Sequence, residues 1–326
     1  MLQVEAIRSA LARGLGERRD ALLIGSDVAG HGGPFRATSG LAELIGAERL
    51  LDMPRNPSTV FGIARGLALA GRPVVCELAP DDAERAIGAL AHDAARWVEQ
   101  QGTMVDASWG VPQGAPKRAA GQVGAIVVRI PVARGTDLEG VLGVHARGAR
   151  VFVPSRPIDA WQAICAGLAA DGQVVFVLEP EELYRGHDAA TALPEVERIA
   201  DVAWPSAWRE VRAGDDAVVV TWGAGVPVAA QASALLQREG YGVAVIDAVR
   251  IDGLPDGTFE PKQLQAVGER AGRVLVATAT GHSAGDGLAR RIAEAAFLSL
   301  EAPVRAIVAP ADPAKLVAEL RQTLDY

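Results

Sequence analysis

The residues best placed to do chemistry lie in and around Asp52 to Gly71, DMPRNPSTVFGIARGLALAG. A short polar turn leads into a small-residue helical pattern, so whatever the turn carries is presented at a helix start. Asn56, Pro57 and Ser58 stand there. None can give and take a proton as a carboxyl can. Downstream, the apolar run RPVVCEL is followed by Asp81 and Asp82. Paired carboxylates could do general acid/base work, but acids that open a helix more often cap it and oppose its dipole. Five histidines (His31, His92, His145, His187 and His282) show no metal-ligand spacing. The glycine run at 30–33 has no helix behind it in the manner of a phosphate loop, and reads as a turn. No GxSxG nucleophile turn occurs. Cys76 and Cys165 sit inside apolar runs and read as buried free thiols of a reducing compartment.

The elements that must position these groups alternate. Short β-branched runs predict strands at 21–25, 72–78, 125–131, 150–154, 173–179, 216–222, 242–248, 273–279 and 303–309. Between them, helical periods fall at 3–15, 58–70, 82–100, 157–170, 225–238, 261–270, 285–299 and 312–324. Continuous apolar strands alternating with helices predict covered, mainly parallel sheets in an α/β architecture. A polar stretch broken by Pro194 and Pro205 divides the chain into units at 1–185 and 215–326, with a linker at 186–214. A second irregular stretch, 102–124, is too long for an ordinary connection and reads as an exposed excursion or binding loop.

The chain has 326 residues, 49% of them hydrophobic, which suffices for two cores. Its formal charge is -8 and no Lys/Arg cluster appears, which argues against a nucleic-acid partner. The N-terminal segment is amphipathic and lacks an apolar signal core, and no apolar run reaches membrane-spanning length. The expectation is a cytoplasmic protein with neither membrane nor nucleic acid among its partners.

Several segments resemble, in order, the β subunit of the E1 component of thiamine-diphosphate (ThDP) dependent 2-oxo acid dehydrogenases, relatives of transketolase. They are GSDVAGHGGPFRATSGL (25–41), ERLLDMP (48–54), GIARGLALAGRPVVCE (62–77), HARGARVFVPSRPIDA (145–160) and VVFVLEPEELYRG (174–186). DAVVVTWGAGVPVAAQAS (216–233) and YGVAVIDAVRIDGLP (241–255) continue the series. The resemblance implies two doubly wound α/β domains: a transketolase pyrimidine-binding domain, then a transketolase C-terminal domain. It also implies ThDP with Mg²⁺ held between chains. An E1α-like partner supplies the diphosphate and metal side, and this chain the pyrimidine side.

The same resemblance marks departures. Where the family has its activating glutamate, this chain has Pro57. The pyrimidine-stacking aromatic is replaced by Pro80, Asp81 and Asp82. Where the family has its histidine the chain has Gly135, followed by Thr136 and Asp137. Asn56, Pro57 and Asp81 thus mark a former pyrimidine pocket, with no side chain left in the catalytic positions. His145 lies near the family's site and is the one histidine retained as a candidate. Gly285–Gly287, a GDG triplet, matches the opening of the partner-type ThDP/Mg²⁺ motif. That motif closes with asparagines, and the sole asparagine here is Asn56. The triplet therefore reads as a helix start packed on the preceding strand. The expected function is a catalytically degenerate E1β-like subunit, pairing with an E1α-like chain and with a second copy of itself, as a heterotetramer. One alternative is an active ThDP-dependent decarboxylase or ketol-transfer subunit with an altered site. The other is a homodimeric scaffold, or a repurposed α/β protein, without ThDP.

Overall fold

The computed structural model describes residues 1–104, 123–137, 141–142, 145–186, 192–252, 261–279 and 282–326. Strands β1 (Leu22–Gly25), β2 (Leu50–Asp52), β3 (Val74–Glu77), β4 (Ile126–Val132), β5 (Arg150–Phe152) and β6 (Val174–Pro180) form one six-stranded sheet, in the order β2-β1-β3-β4-β6-β5. Every pairing in it is parallel. Its strands are buried from end to end at β1, β3, β4 and β6, which is why they read as unbroken apolar runs.

Side-chain alternation splits this sheet into two core layers. Leu22, Ile24, Val74, Cys76, Ile126 and Val128 face α3 (Pro57–Leu69) and α4 (Pro80–Met104). Leu23, Val75, Val127 and Val175 face α1 (Gln3–Glu17) and α5 (Pro157–Ala169). The short α2 (Leu41–Ile45) closes the loop between β1 and β2. Both cysteines are free and buried, and burial raises both thiols, Cys165 to about 12, so neither offers a thiolate at neutral pH.

The second sheet runs β11-β10-β8-β9-β7. Its strands are β7 (Arg209–Arg212), β8 (Ala217–Thr221), β9 (Val243–Asp247), β10 (Val274–Thr278) and β11 (Arg305–Val308). Helices α6 (Gly225–Arg238) and α9 (Pro313–Leu324) cover one face, and α7 (Pro261–Ala271) and α8 (His282–Ala295) the other. All nine strands expected from the sequence are present, and β2 and β7 are additional. β2 is three residues long, too short to show a period. β7 is an antiparallel edge strand, REVR, with no buried residue, and it lies inside the stretch read as a linker. An edge strand half in water carries no apolar signature. Of the irregular stretch 102–124, residues 102–104 finish α4, and 105–122 lie outside the described residues. The GDG triplet sits within α8, where a Cβ on Gly285 would lie 2.9 Å from Thr278 Cγ2, so that glycine serves close packing on β10.

The carboxyl ends of the two sheets meet. Residues after β9 run antiparallel to β5: the Val153 N–H donates to the Val249 carbonyl (2.8 Å), and the Ile251 N–H to that of Val151 (2.9 Å). Trp222 is fully buried at this junction, and a Cβ on Gly223 would come within 2.8 Å of Val153. Arg209 joins the halves, binding Asp159 at 3.0 Å and the buried Asp247, which also accepts from Ser155 Oγ at 2.5 Å. Burial pushes Asp247 up to about 7 despite Arg209.

Candidate functional site

In open parallel sheets, ligands bind outside the carboxyl ends of the strands, beside the point where the strand order reverses. Here the order reverses between β1 and β3. The turns leaving β1, β2, β3 and β4 carry residues 26–36, 53–56, 78–79 and 133–137. The topology therefore brings the positions singled out by sequence, Asn56, Pro57, Asp81 and Gly135, to one end of one sheet.

Local physics explains each turn. Asn56 caps α3: its side-chain oxygen accepts from the Thr59 N–H at 3.0 Å. Pro57 follows at the first helical position, where its fixed φ suits a helix and its missing N–H costs nothing. Its ring is buried. Gly71, at φ +77°, ends the element one residue after its C-cap. So the position that the sequence resemblance aligns with the activating glutamate holds a buried, aprotic helix starter.

The two acids singled out from the sequence, Asp81 and Asp82, are otherwise engaged. Asp82, 8% exposed, lies between two guanidinium groups, with Arg55 Nε and Arg85 Nη2 each at 2.7 Å. The hydrogen bond from Arg55 leads the effects that hold its carboxyl below the usual range, so it stays ionised and is a poor proton donor. Asp81 is exposed in the first turn of α4, where its charge favours the helix dipole. Pro80 is the first residue of the same helix, and no aromatic ring takes its place.

Gly135 is exposed at φ +89° in the turn after β4. The turn is held from both sides. Arg134 binds Glu182 through two N–H groups (2.5 and 2.7 Å) and donates to the Ala309 carbonyl at 2.9 Å. Ser283 Oγ donates to Asp137 at 2.6 Å. The C-terminal half of the chain thus clamps this turn. His145 is exposed ahead of β5, apart from these turns in sequence. His31 is exposed, 3.7 Å from Asp27. His187 lies outside the described residues. Among the described residues no group of three His, Cys, Asp or Glu is placed to hold a metal.

Beneath the site lies a charged cluster that sequence reasoning missed. Arg129, fully buried on β4, grips Glu179 of β6 bidentately (2.7 and 2.8 Å) and also binds Glu77 of β3. Tyr184 donates its hydroxyl to Glu179. Glu77 Oε1 is buried without a hydrogen-bond partner. Burial pushes Glu77 up to about 7, against the pull of Arg129, and raises the Tyr184 phenol further from its ionised form. The signal available was a charge at the end of each apolar run: VVCE, IVVR and VFVLE. What could not be read was that register puts Glu77 directly opposite Arg129.

A cavity of about 300 Å³ opens beside the β1 turn, lined by Gly30, His31, Arg36, Ser39 and Glu43 among others. It includes none of Asn56, Pro57, Asp81 or Gly135.

Comparison with known proteins agrees with this geometry. Residues 3–187 match the family model of the transketolase pyrimidine binding domain, and residues 206–323 that of the transketolase C-terminal domain. The chain is 32% identical over 312 residues to the pyruvate dehydrogenase E1 component subunit beta of Staphylococcus aureus (strain COL), covering 95% of this chain and 90% of the relative. The same subunit of Staphylococcus epidermidis (strain ATCC 35984) matches with the same identity and coverage. Among solved structures, a split-gene transketolase described as an inactive β4 tetramer superposes with a TM-score of 0.66 at 19% identity, covering 100% of this chain and 98% of the other. The 2-oxoglutarate:ferredoxin oxidoreductase of Magnetococcus marinus superposes with a TM-score of 0.60 at 11% identity, covering 99% of this chain and 65% of the other. Two consecutive family domains over nearly the whole length, with the turns of the first gathered at the expected sheet end, place this chain in the transketolase superfamily as an E1β-like member.

Proposed function

We propose that this chain is an E1β-like subunit of a 2-oxo acid dehydrogenase-type assembly in which the pyrimidine side of the thiamine site no longer transfers protons. The carrying observation is Pro57, buried at the first position of α3 where the activating acid would stand. ThDP needs a carboxyl against its aminopyrimidine to reach the reactive tautomer. The residues present do not fit that group. Pro57 has no acid, Asp82 is occupied by Arg55 and Arg85, and no ring stands at Pro80–Asp82.

Partner binding would fall to the outer face of α3. Gly62, Ile63, Gly66 and Leu69 are exposed on its outer face, and a Cβ at Gly62 or Gly66 would meet nothing within 4 Å. A helix apolar on its core side and small and apolar on its outer side is built to be covered. An E1α-like chain, with a second copy of this one, is the proposed cover. The diphosphate and Mg²⁺ would fall to that partner.

The test is exchange of the ThDP C2 proton, followed by NMR, in the complex of this chain with its E1α-like partner. Positioned acid/base groups supply about 10²–10⁴-fold. The expected exchange rate is within a few-fold of free cofactor, and Pro57→Glu should raise it. An acceleration of about 100-fold or more by the unsubstituted complex would favour the second reading, an active enzyme with an altered site. The Arg55–Asp82 pair, beside α3, is the feature that such a reading would have to use.

A further inference from the structure

The buried cluster lies under a loop held in an unfavourable shape. Asp27, Phe35 and Arg36 adopt φ of 56°, 55° and 59°, a left-handed conformation that side-chain-bearing residues avoid. Contacts with the rest of the chain hold the loop, among them the Ala29 N–H to Asp52 Oδ1 (2.9 Å) and Thr38 Oγ1 to the Val28 carbonyl (3.0 Å). Phe35 stacks on Tyr184 with ring centroids 4.5 Å apart. Arg8 donates to the Arg36 carbonyl at 2.7 Å. Gly33 lies so close over Glu77 that a Cβ there would sit 1.8 Å from Oε1. Two of these contacts, Phe35 on Tyr184 and Gly33 on Glu77, are with members of the cluster.

Charge counting says what the cluster must do. With every group ionised except Tyr184, one arginine faces two carboxylates in a dry interior. Glu179 has two bonds from Arg129 and one from Tyr184, so its charge is well supported. Glu77 has Arg129 on one oxygen and nothing on the other. A buried carboxylate oxygen without a donor is costly, whereas a protonated one removes the excess charge. The proton therefore belongs on Glu77. If it leaves, Oε1 needs a donor, and the loop's Gly33 is packed directly against that oxygen.

We propose that Glu77, with Arg129, Glu179 and Tyr184, is a proton-controlled latch for the loop Asp27–Arg36: the loop is shut over protonated Glu77 and released when Glu77 ionises. The loop walls the cavity of about 300 Å³, so it has space to move into. Release would reshape the β1 side of the crevice, whatever ligand that crevice takes. The charged and titratable groups facing the latch are Arg129 and Glu179 on the neighbouring strands, and Tyr184 after β6. Asp27, His31 and Arg36 are on the loop itself, Cys76 is beside Glu77 on β3, and Asp52 at the end of β2 accepts from the Ala29 N–H at 2.9 Å. His31 is the competing explanation, because it is the histidine carried on the loop itself.

The test is amide hydrogen exchange of peptides spanning 27–38 in the intact chain from pH 5.5 to 8.5, normalised to intrinsic exchange rates. A single-proton latch loses protection by up to about ten-fold per pH unit above its midpoint. The wild type should show this loss. Glu77→Gln, the neutral isostere, should stay protected throughout, and His31→Gln should behave as wild type. Gly33→Ala, a surface change that forces the loop off Oε1, should be unprotected at every pH, and it keeps the test open should Glu77→Gln fail to fold. Flat protection in the wild type, a pH-dependent loss retained in Glu77→Gln, or a loss abolished by His31→Gln would each overturn the latch.

Discussion

Replacing Arg129 by Leu should lower stability by about 3–5 kcal/mol at pH 8, the usual result of removing one partner from a buried ion pair. The loss comes less from the missing bonds than from what remains. Glu77 and Glu179, both fully or nearly fully buried, would be left without their shared cation. The deficit should shrink at lower pH, because buried carboxylates can shed charge by taking up protons. The wild type already leans this way. Glu77 has a folded-state value of about 7, raised from an ordinary 4.5. A raised carboxylate binds more protons folded than unfolded, so its contribution is complete below about pH 4.5 and is lost as pH rises through about 7. Urea unfolding at pH 5.5 and 8 checks both statements. A variant deficit equal at the two pH values would mean that charge burial is not what Arg129 relieves.

Gly66→Arg should leave the isolated chain folded and weaken its assembly by roughly 30- to 1,000-fold, an association cost of about 2–4 kcal/mol. Within the chain a Cβ at Gly66 meets nothing, so a long side chain has room. In the proposed complex the same position lies under a partner, where an arginine must be desolvated without a carboxylate facing it. Sedimentation velocity on the substituted chain, alone and with its E1α-like partner, reads the effect, with circular dichroism as the fold control. An unchanged sedimentation profile would place the interface elsewhere. Loss of self-association with partner binding intact would favour the homodimeric alternative for this face.

Much of the architecture was legible in the sequence, because a covered parallel strand must be apolar at every position. β1, β3, β4, β6, β8, β9 and β10 are buried from end to end, and each stands out as a run. β2 and β7 escaped, being short or at an edge and exposed, where the same rule does not apply. The site was legible only as an outline. Pro57 could be placed by its flanking segments, and its lack of an acid follows from its covalent structure. That Asp82 is unfit to replace that acid could not be read, since it depends on Arg55 reaching across from another turn, 27 residues away.

The sequence by itself determined the order of elements, the superfamily and the absence of a carboxyl at position 57, because these depend on residue type and local period. Only the tertiary structure decided which charges meet. Glu77, Arg129 and Glu179 lie on three strands 50 or more residues apart, and each alone reads as a strand terminus. Parallel register aligns them, and burial removes the water that would have screened them. The energy of a charge is set by its neighbours and its dielectric, neither of which is a property of the residue that carries it.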